Sequence, residues 1–326
     1  MKQQPFETRH QPLWQAFSLR LKALESGKAR TAHSEGFSHD YRRLCQHLAL
    51  ARSRGYSSRL VDHLEQLVLR GHRQLYRHRS QVGTQIVAFV LADFPRQVRS
   101  QWRLVLLAGL LLGLTLLGSA LWIYCCPEQV YSLLDPAQVS AMEHQYDPQL
   151  SRLGLGAERP AAQDWQMFGF YVMNNVGIAF QTFAGGLLAG LGSVFFLMFN
   201  GLTIGAAAGH LTHIGSGQTF WSFVIGHSAF ELPAIVLAGA AGLGIGWALI
   251  APGRLTRGEA LRVAARASMQ LVYGALLMLL LAAFVEAYWS AKTAIAPALK
   301  YAVGATLWLL LMLYLSRAGR GQHAAE

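Results

Sequence analysis

Residues 104–124 read LVLLAGLLLGLTLLGSALWIY, twenty-one positions without a charged side chain. No stretch constrains the fold more. In hydrocarbon, backbone N–H and C=O groups find no water, so a single segment crossing a bilayer must satisfy them within itself, as an α-helix of about 20 residues. The same reasoning applies to the apolar runs further along. Residues 167–250 are long enough for three crossings, placed at 167–189, 191–213 and 219–250, and two more fall at 269–290 and 298–316. The expected fold class is all-α: a polytopic helical membrane protein with about six transmembrane helices, one of them broken or re-entrant, and an N-terminal cytoplasmic helical domain.

Charge orients this arrangement. Residues 1–103 carry 18 Lys+Arg against 7 Asp+Glu, whereas residues 104–326 carry 10 of each. The basic flank before residue 104 places residues 1–103 on the cytoplasmic side. The loop 125–166 holds Glu128, Asp135, Glu143, Asp147, Glu158 and Asp164 against Arg152 and Arg159, which places it outside. The 251–268 loop, with Arg254, Arg257, Arg262 and Arg266 against Glu259, belongs inside. The bundle then occupies 167–316, residues 317–326 form a cytoplasmic tail, and both termini are cytoplasmic. The opening MKQQPFETRHQPLW lacks the apolar core of a cleavable signal. No nucleic-acid motif accompanies the basic charge, so membrane lipids are the expected partner of the Arg96, Arg99 and Arg103 cluster.

Within residues 1–103, apolar positions recur at helical spacing: Leu13, Phe17, Leu21, Leu24; Tyr41, Leu44, Cys45, Leu48; Leu60, Leu64, Leu67, Leu75. A small helical bundle follows, with Arg42, Arg43, Arg52, Arg70, Arg73 and Arg77 on its solvated faces. Gly71 falls on the apolar stripe and permits close helix packing. Cys45, Cys125 and Cys126 have no metal-ligand spacing. The adjacent pair at the end of the first span is read as small apolar residues or as a disulfide between protomers.

In the membrane part, Gly201, Gly205 and Gly209 recur every fourth residue. That spacing gives one helix face of small residues on which another backbone can lie, in a compact bundle or at a homo-oligomer interface. On this reading Leu at Gly205 disrupts the seam and Ala is mild. Polar side chains inside the spans need partners away from lipid. They are Asn174, Asn175, Asn200, His227, Glu231 and Glu286, with Gln181 and His210; interhelical hydrogen bonding accounts for the amides.

GHSAFELPAI (226–235) concentrates this problem. As one helix, residues 219–250 would extend about 48 Å against a hydrocarbon core of about 30 Å. The pattern therefore predicts a break, with Gly226 ending one helix, Ser228 and Glu231 forming a capping box, and Pro233 in the first turn of the next. A second reading makes His227 and Glu231 a protonatable pair on an ion or substrate path. HSAFE lacks the second His of HExxH, so neither a metal site nor a cofactor is expected, and the chain is read as a non-enzyme. Glu286 either snorkels outward beside Tyr288 and Trp289 or meets His227 or Asn174.

NNVGIAFQTFAGGLLAGLG (174–192), LMFNGLTIGAAAG (197–209), GHSAFELPAIVLAGAAGLGIGWALIAPG (226–253) and AAFVEA (282–287) together resemble the stage II sporulation protein M (SpoIIM) family. The resemblance extends to HLEQLVLRGHRQLY (63–76) and DFPRQVR (93–99). Ser228 departs from the family's more frequent Gly. The resemblance implies a multi-pass protein of the bacterial cytoplasmic (inner) membrane. The sporulation member anchors peptidoglycan-degrading enzymes during engulfment; the larger basic domain here resembles members of non-sporulating bacteria, often encoded beside MoxR-type ATPases and von Willebrand A-type proteins. Two functions stand on this footing: a scaffold or adaptor recruiting partners for envelope remodelling, and a transporter or channel using His227, Glu231 and Glu286. An intramembrane hydrolase is a third, weaker reading.

Overall fold

The long apolar runs all become α-helices, and among the described residues there is no strand. The computed structural model describes residues 2–25, 36–75, 82–149 and 161–320. Arg77, Arg152, Glu158, Arg159 and the last residues of the tail lie outside this set. The chain divides into two compact units, Met1–Thr84 and Gln85–Glu326.

The first unit contains α1 (Gln3–Glu25), α2 (Phe37–Ser53) and α3 (Ser58–Leu75). Their apolar stripes meet in a core of Phe6, Trp14, Phe17, Leu21, Leu44, Leu48, Leu60, Leu64 and Leu67. Gly71 is needed at the crossing of α3, because a Cβ there would lie 2.9 Å from Phe17 Cζ and 3.0 Å from Tyr41 Cδ2. Trp14 Nε1 donates to His47 Nδ1 at 3.1 Å inside this core. The faces away from it are basic: Arg42, Arg43, Arg52, Arg54, Arg59 and Arg73 are exposed. Arg70 instead forks onto the Glu25 carboxylate at 2.9 and 2.8 Å.

The second unit begins earlier than the charge pattern implies. α4 (Val82–Ala88) leads through a π turn into α5 (Phe94–Ser100), whose Phe94 and Val98 are buried in the core of the membrane unit. Residues 85–103 thus belong to the membrane body, and the expected boundary at 103 moves to 84/85. The physical reason is Phe94, whose ring fills the space left by Gly274; a Cβ there would sit 1.8 Å from Phe94 Cε2. Arg99, expected to face lipid headgroups, donates to the carbonyls of Leu315 and Ala318 at 2.8 and 2.7 Å. It satisfies acceptors that every helix leaves open at its C-terminus.

The body itself consists of α6 (Trp102–Cys125), α7 (Pro136–Gln145), α8 (Ala161–Ala184), α9 (Leu191–His213), α10 (Gly217–Ile250), α11 (Arg257–Val285, continued by a π turn to Ser290) and α12 (Pro297–Arg317). Among the described residues, five helices are long and apolar enough to cross a membrane: α6, α9, α10, α11 with its π turn, and α12. The chain is a multi-pass membrane protein. The remaining expected crossing, 167–189, corresponds to α8, a helix of 24 residues that is not among the five. Asp164, Asn174, Asn175 and Gln181 lower its hydropathy.

Glycines set the helix spacing. Cβ atoms at Gly201, Gly205 and Gly209 would lie 2.6, 2.2 and 2.3 Å from the carbonyl oxygens of Leu112, Leu116 and Ala120 on α6. The periodic face of α9 therefore lies directly on the α6 backbone. At this distance even Ala at Gly205 is a clash, contrary to the mild effect expected of it. The α8–α9 turn, with Ala189 and Gly190 at φ 53° and 84°, lies equally close on α10: a Cβ at Gly186 would be 2.2 Å from Gly242 O, and one at Gly246 2.3 Å from Gly190 N. Hydroxyls complete these seams, through Ser193 Oγ to Thr182 O at 2.7 Å and Ser268 Oγ to Ala241 O at 2.9 Å.

Candidate functional site: a His-Glu-Glu cluster

The break expected in GHSAFELPAI is absent. α10 runs without interruption over 34 residues from Gly217 to Ile250, with Pro233 inside it. Ser228 Oγ bonds back to Ile225 O at 3.4 Å within the helix and caps nothing. A break in lipid would strand several backbone groups, whereas an unbroken helix longer than the hydrocarbon core accommodates by tilting or by extending past it. Pro233 costs one backbone bond, a loss that neighbouring helices make tolerable in membrane segments. Gly226 has a different role from ending a helix: its surface is covered by the end of α11, where a Cβ would lie 3.3 Å from Val285 Cγ1 and 3.7 Å from both Ser290 Oγ and Trp289 Cδ1.

Continuity of α10 puts His227 and Glu231 one turn apart on one face, with Nε2 and Oε2 3.9 Å apart. Glu286 comes from the neighbouring helix, where the backbone widens into the π turn Glu286–Ser290 that buries Glu286, Ala287 and Ser290. One ligand-type atom from each of His227, Glu231 and Glu286 lies within 4.8 Å of the other two. His227 and Glu286 are buried and Glu231 is half-buried. Of the two environments read for Glu286, snorkelling and meeting His227, the fold adopts the second.

Two further residues complete the cluster. Ser290 Oγ lies 3.2 Å from His227 Nδ1, leaving Nε2 turned to Glu231. Lys300, buried at the start of α12, donates from Nζ to the carbonyl of Ser290 at 2.7 Å, which fixes the π turn from its other side. Phe223, one turn before His227, sets a ring edge against the imidazole at 5.3 Å between centroids. Ser290 and Lys300 escaped the sequence reading. A lysine inside an apolar run was the available signal for the second; Ser290 carried none.

The other singled-out polar residues have partners outside His227, Glu231 and Glu286. Asn174 donates to its neighbour Asn175 at 2.9 Å, and Asn200 to Phe196 O of its own helix at 2.7 Å. His210 pairs with Glu143 of α7 at 2.7 Å. Asp164, buried on α8, pairs with Lys292 at 3.0 Å.

Comparison with known families divides the chain near the same place as the fold. The family model of stage II sporulation protein M (SpoIIM) matches residues 103–291, which include His227, Glu231, Glu286 and Ser290 but not Lys300. A domain of unknown function (DUF8413) matches residues 4–77, so the stretch 63–76 falls to that separate domain. No curated protein and no solved structure matches the chain.

Proposed function

Since the chain belongs to the stage II sporulation protein M family, its SpoIIM region spanning more than half of it, we propose that it is a scaffold of the bacterial cytoplasmic membrane that recruits proteins for envelope remodelling. One observation carries this reading: the molecule consists of two self-contained bodies, a membrane unit and a basic helical unit with its own core. The membrane unit is held by backbone-to-backbone seams that leave little freedom for the repeat-against-repeat rocking of transporters. The exposed arginines of α2 and α3 suit an acidic partner surface or anionic lipid. By family resemblance, the protein partners are MoxR-type ATPases and von Willebrand A-type proteins.

We place α8 as a sixth crossing, antiparallel to α9. The acidic 125–166 segment and the basic 251–268 loop then fall on opposite sides, as the charge asymmetry requires. Both termini are then cytoplasmic. Photo-crosslinkers placed at Arg43 and Arg59 in native membranes test the scaffold. The reading expects adducts with an ATPase of that type or with envelope proteins; adducts with lipid and chaperones alone would refute it.

A further inference from the structure

We propose that His227, Glu231 and Glu286 bind one divalent transition-metal ion, zinc being the best match, between α10 and the π turn that ends α11. The ligand set is one imidazole nitrogen and two carboxylate oxygens. Hard cations prefer oxygen alone and soft ones prefer thiolate, so a mixed N,O,O set selects zinc and its first-row neighbours. Three protein ligands with one remaining position is also the coordination of reactive, rather than purely structural, zinc sites.

The distances fit a site that closes on its ion. Zinc bonds of about 2.0–2.2 Å in tetrahedral geometry put ligand atoms about 3.4 Å apart. The His227–Glu231 pair, at 3.9 Å, need draw in by about half an ångström to reach that spacing, and Glu286, within 4.8 Å of both, by up to about 1.4 Å. The imidazole is already oriented. Nδ1 lies 3.2 Å from Ser290 Oγ; in the tautomer that donates this hydrogen bond, Nε2 keeps its lone pair for the metal, and a hydrogen bond on the far nitrogen is the usual partner of a ligating histidine. Charge argues the same way: two carboxylates this close in an apolar surround are unfavourable together, and a dication neutralises both. The ammonium of Lys300 is directed to the Ser290 carbonyl. A π turn is itself a feature concentrated at functional sites, because it moves a side chain out of helical register; here it carries both Glu286 and Ser290.

This assignment does not depend on the scaffold reading, and its test uses no partner. The full chain, purified in detergent and stripped of metal, is dialysed against zinc ions, and bound metal is measured by mass spectrometry. About one ion per chain is expected. Glu231→Gln and Glu286→Gln, which keep side-chain shape, should each lose it, while His10→Asn in the other unit should retain it. Ser290→Ala, a change at a positioning residue, should weaken zinc binding by about 10- to 100-fold with the ion count at saturation unchanged. X-ray absorption of the zinc-loaded wild type decides the matter even where a variant fails to accumulate, with one imidazole and otherwise oxygen ligands expected. A wild-type chain that binds no ion, Gln variants that bind as the wild type does, or a spectrum with sulfur or several imidazoles would overturn the proposal.

Discussion

Replacing Gly205 by alanine adds one methyl group to a helix of apolar residues, a change that helix propensity alone would favour. The fold predicts the opposite. That methyl would lie 2.1 Å from Ser119 Oγ and 2.2 Å from the Leu116 carbonyl oxygen. The hydroxyl can rotate away; the carbonyl, fixed in α6, cannot. An unstrained carbon–oxygen contact needs about 3.3 Å, so α6 and α9 must separate by roughly 1 Å. A gap of that size removes about a quarter to a half of each atom-pair attraction of ~0.1–0.2 kcal/mol. Over a few dozen pairs along the seam the loss is on the order of 1–3 kcal/mol, comparable to overpacked protein cores. Lipid offers no compensating hydrophobic term between helices. The assay is equilibrium unfolding of the full chain in mixed micelles with increasing SDS, comparing wild type, Gly205→Ala and Gly118→Ala. Gly118 is on α6 with open space at its Cβ, so its variant should unfold no earlier than the wild type while Gly205→Ala unfolds earlier. Identical midpoints for all three would show that the seam is not held by this contact.

Arg99→Ala should free the end of α12 at a cost of about 1.5–3 kcal/mol for its charge-assisted hydrogen bonds to Leu315 and Ala318, seen as faster amide exchange over 313–318. Arg99→Lys should recover only part of this, because an ammonium lacks the planar fork. Burial, then the charges of His10 and Arg43, depress the His47 pKa from 6.5 to about 4. The fold therefore favours neutral His47: its contribution to stability is complete above about pH 6.5 and is lost as pH falls from there toward 4. Amide exchange in α1–α3 should accelerate over that window, and His47→Asn should flatten the response. For topology, the exposed Cys125 and Cys126 should react with an impermeant maleimide in intact spheroplasts. A cysteine replacing exposed Leu255, with Cys45, Cys125 and Cys126 all changed to serine, should react only after lysis.

The sequence by itself determined the helical class, the apolar spans, the stripes that build the N-terminal core and the identity of the three cluster residues. Those signals are local: hydropathy over 20 residues, a period of 3.6, and ionisable groups where lipid disfavours them. The tertiary structure decided what depends on partners distant in the chain. The 201–205–209 glycine spacing indicates close packing, but only the fold identifies α6 as the partner and places its carbonyls so near that alanine no longer fits. Phe94 is an ordinary aromatic beside a basic run until Gly274, far along the chain, supplies the space that draws residues 85–103 into the membrane unit. GHSAFELPAI contained every signal for a helix break, yet α10 stays continuous, since water-free surroundings favour unbroken backbone hydrogen bonding over local capping. That continuity aligns His227 with Glu231, and the π turn brings Glu286 to them from 55 residues after Glu231. No motif spacing encodes that last step, because it results from a widened turn docking on Gly226.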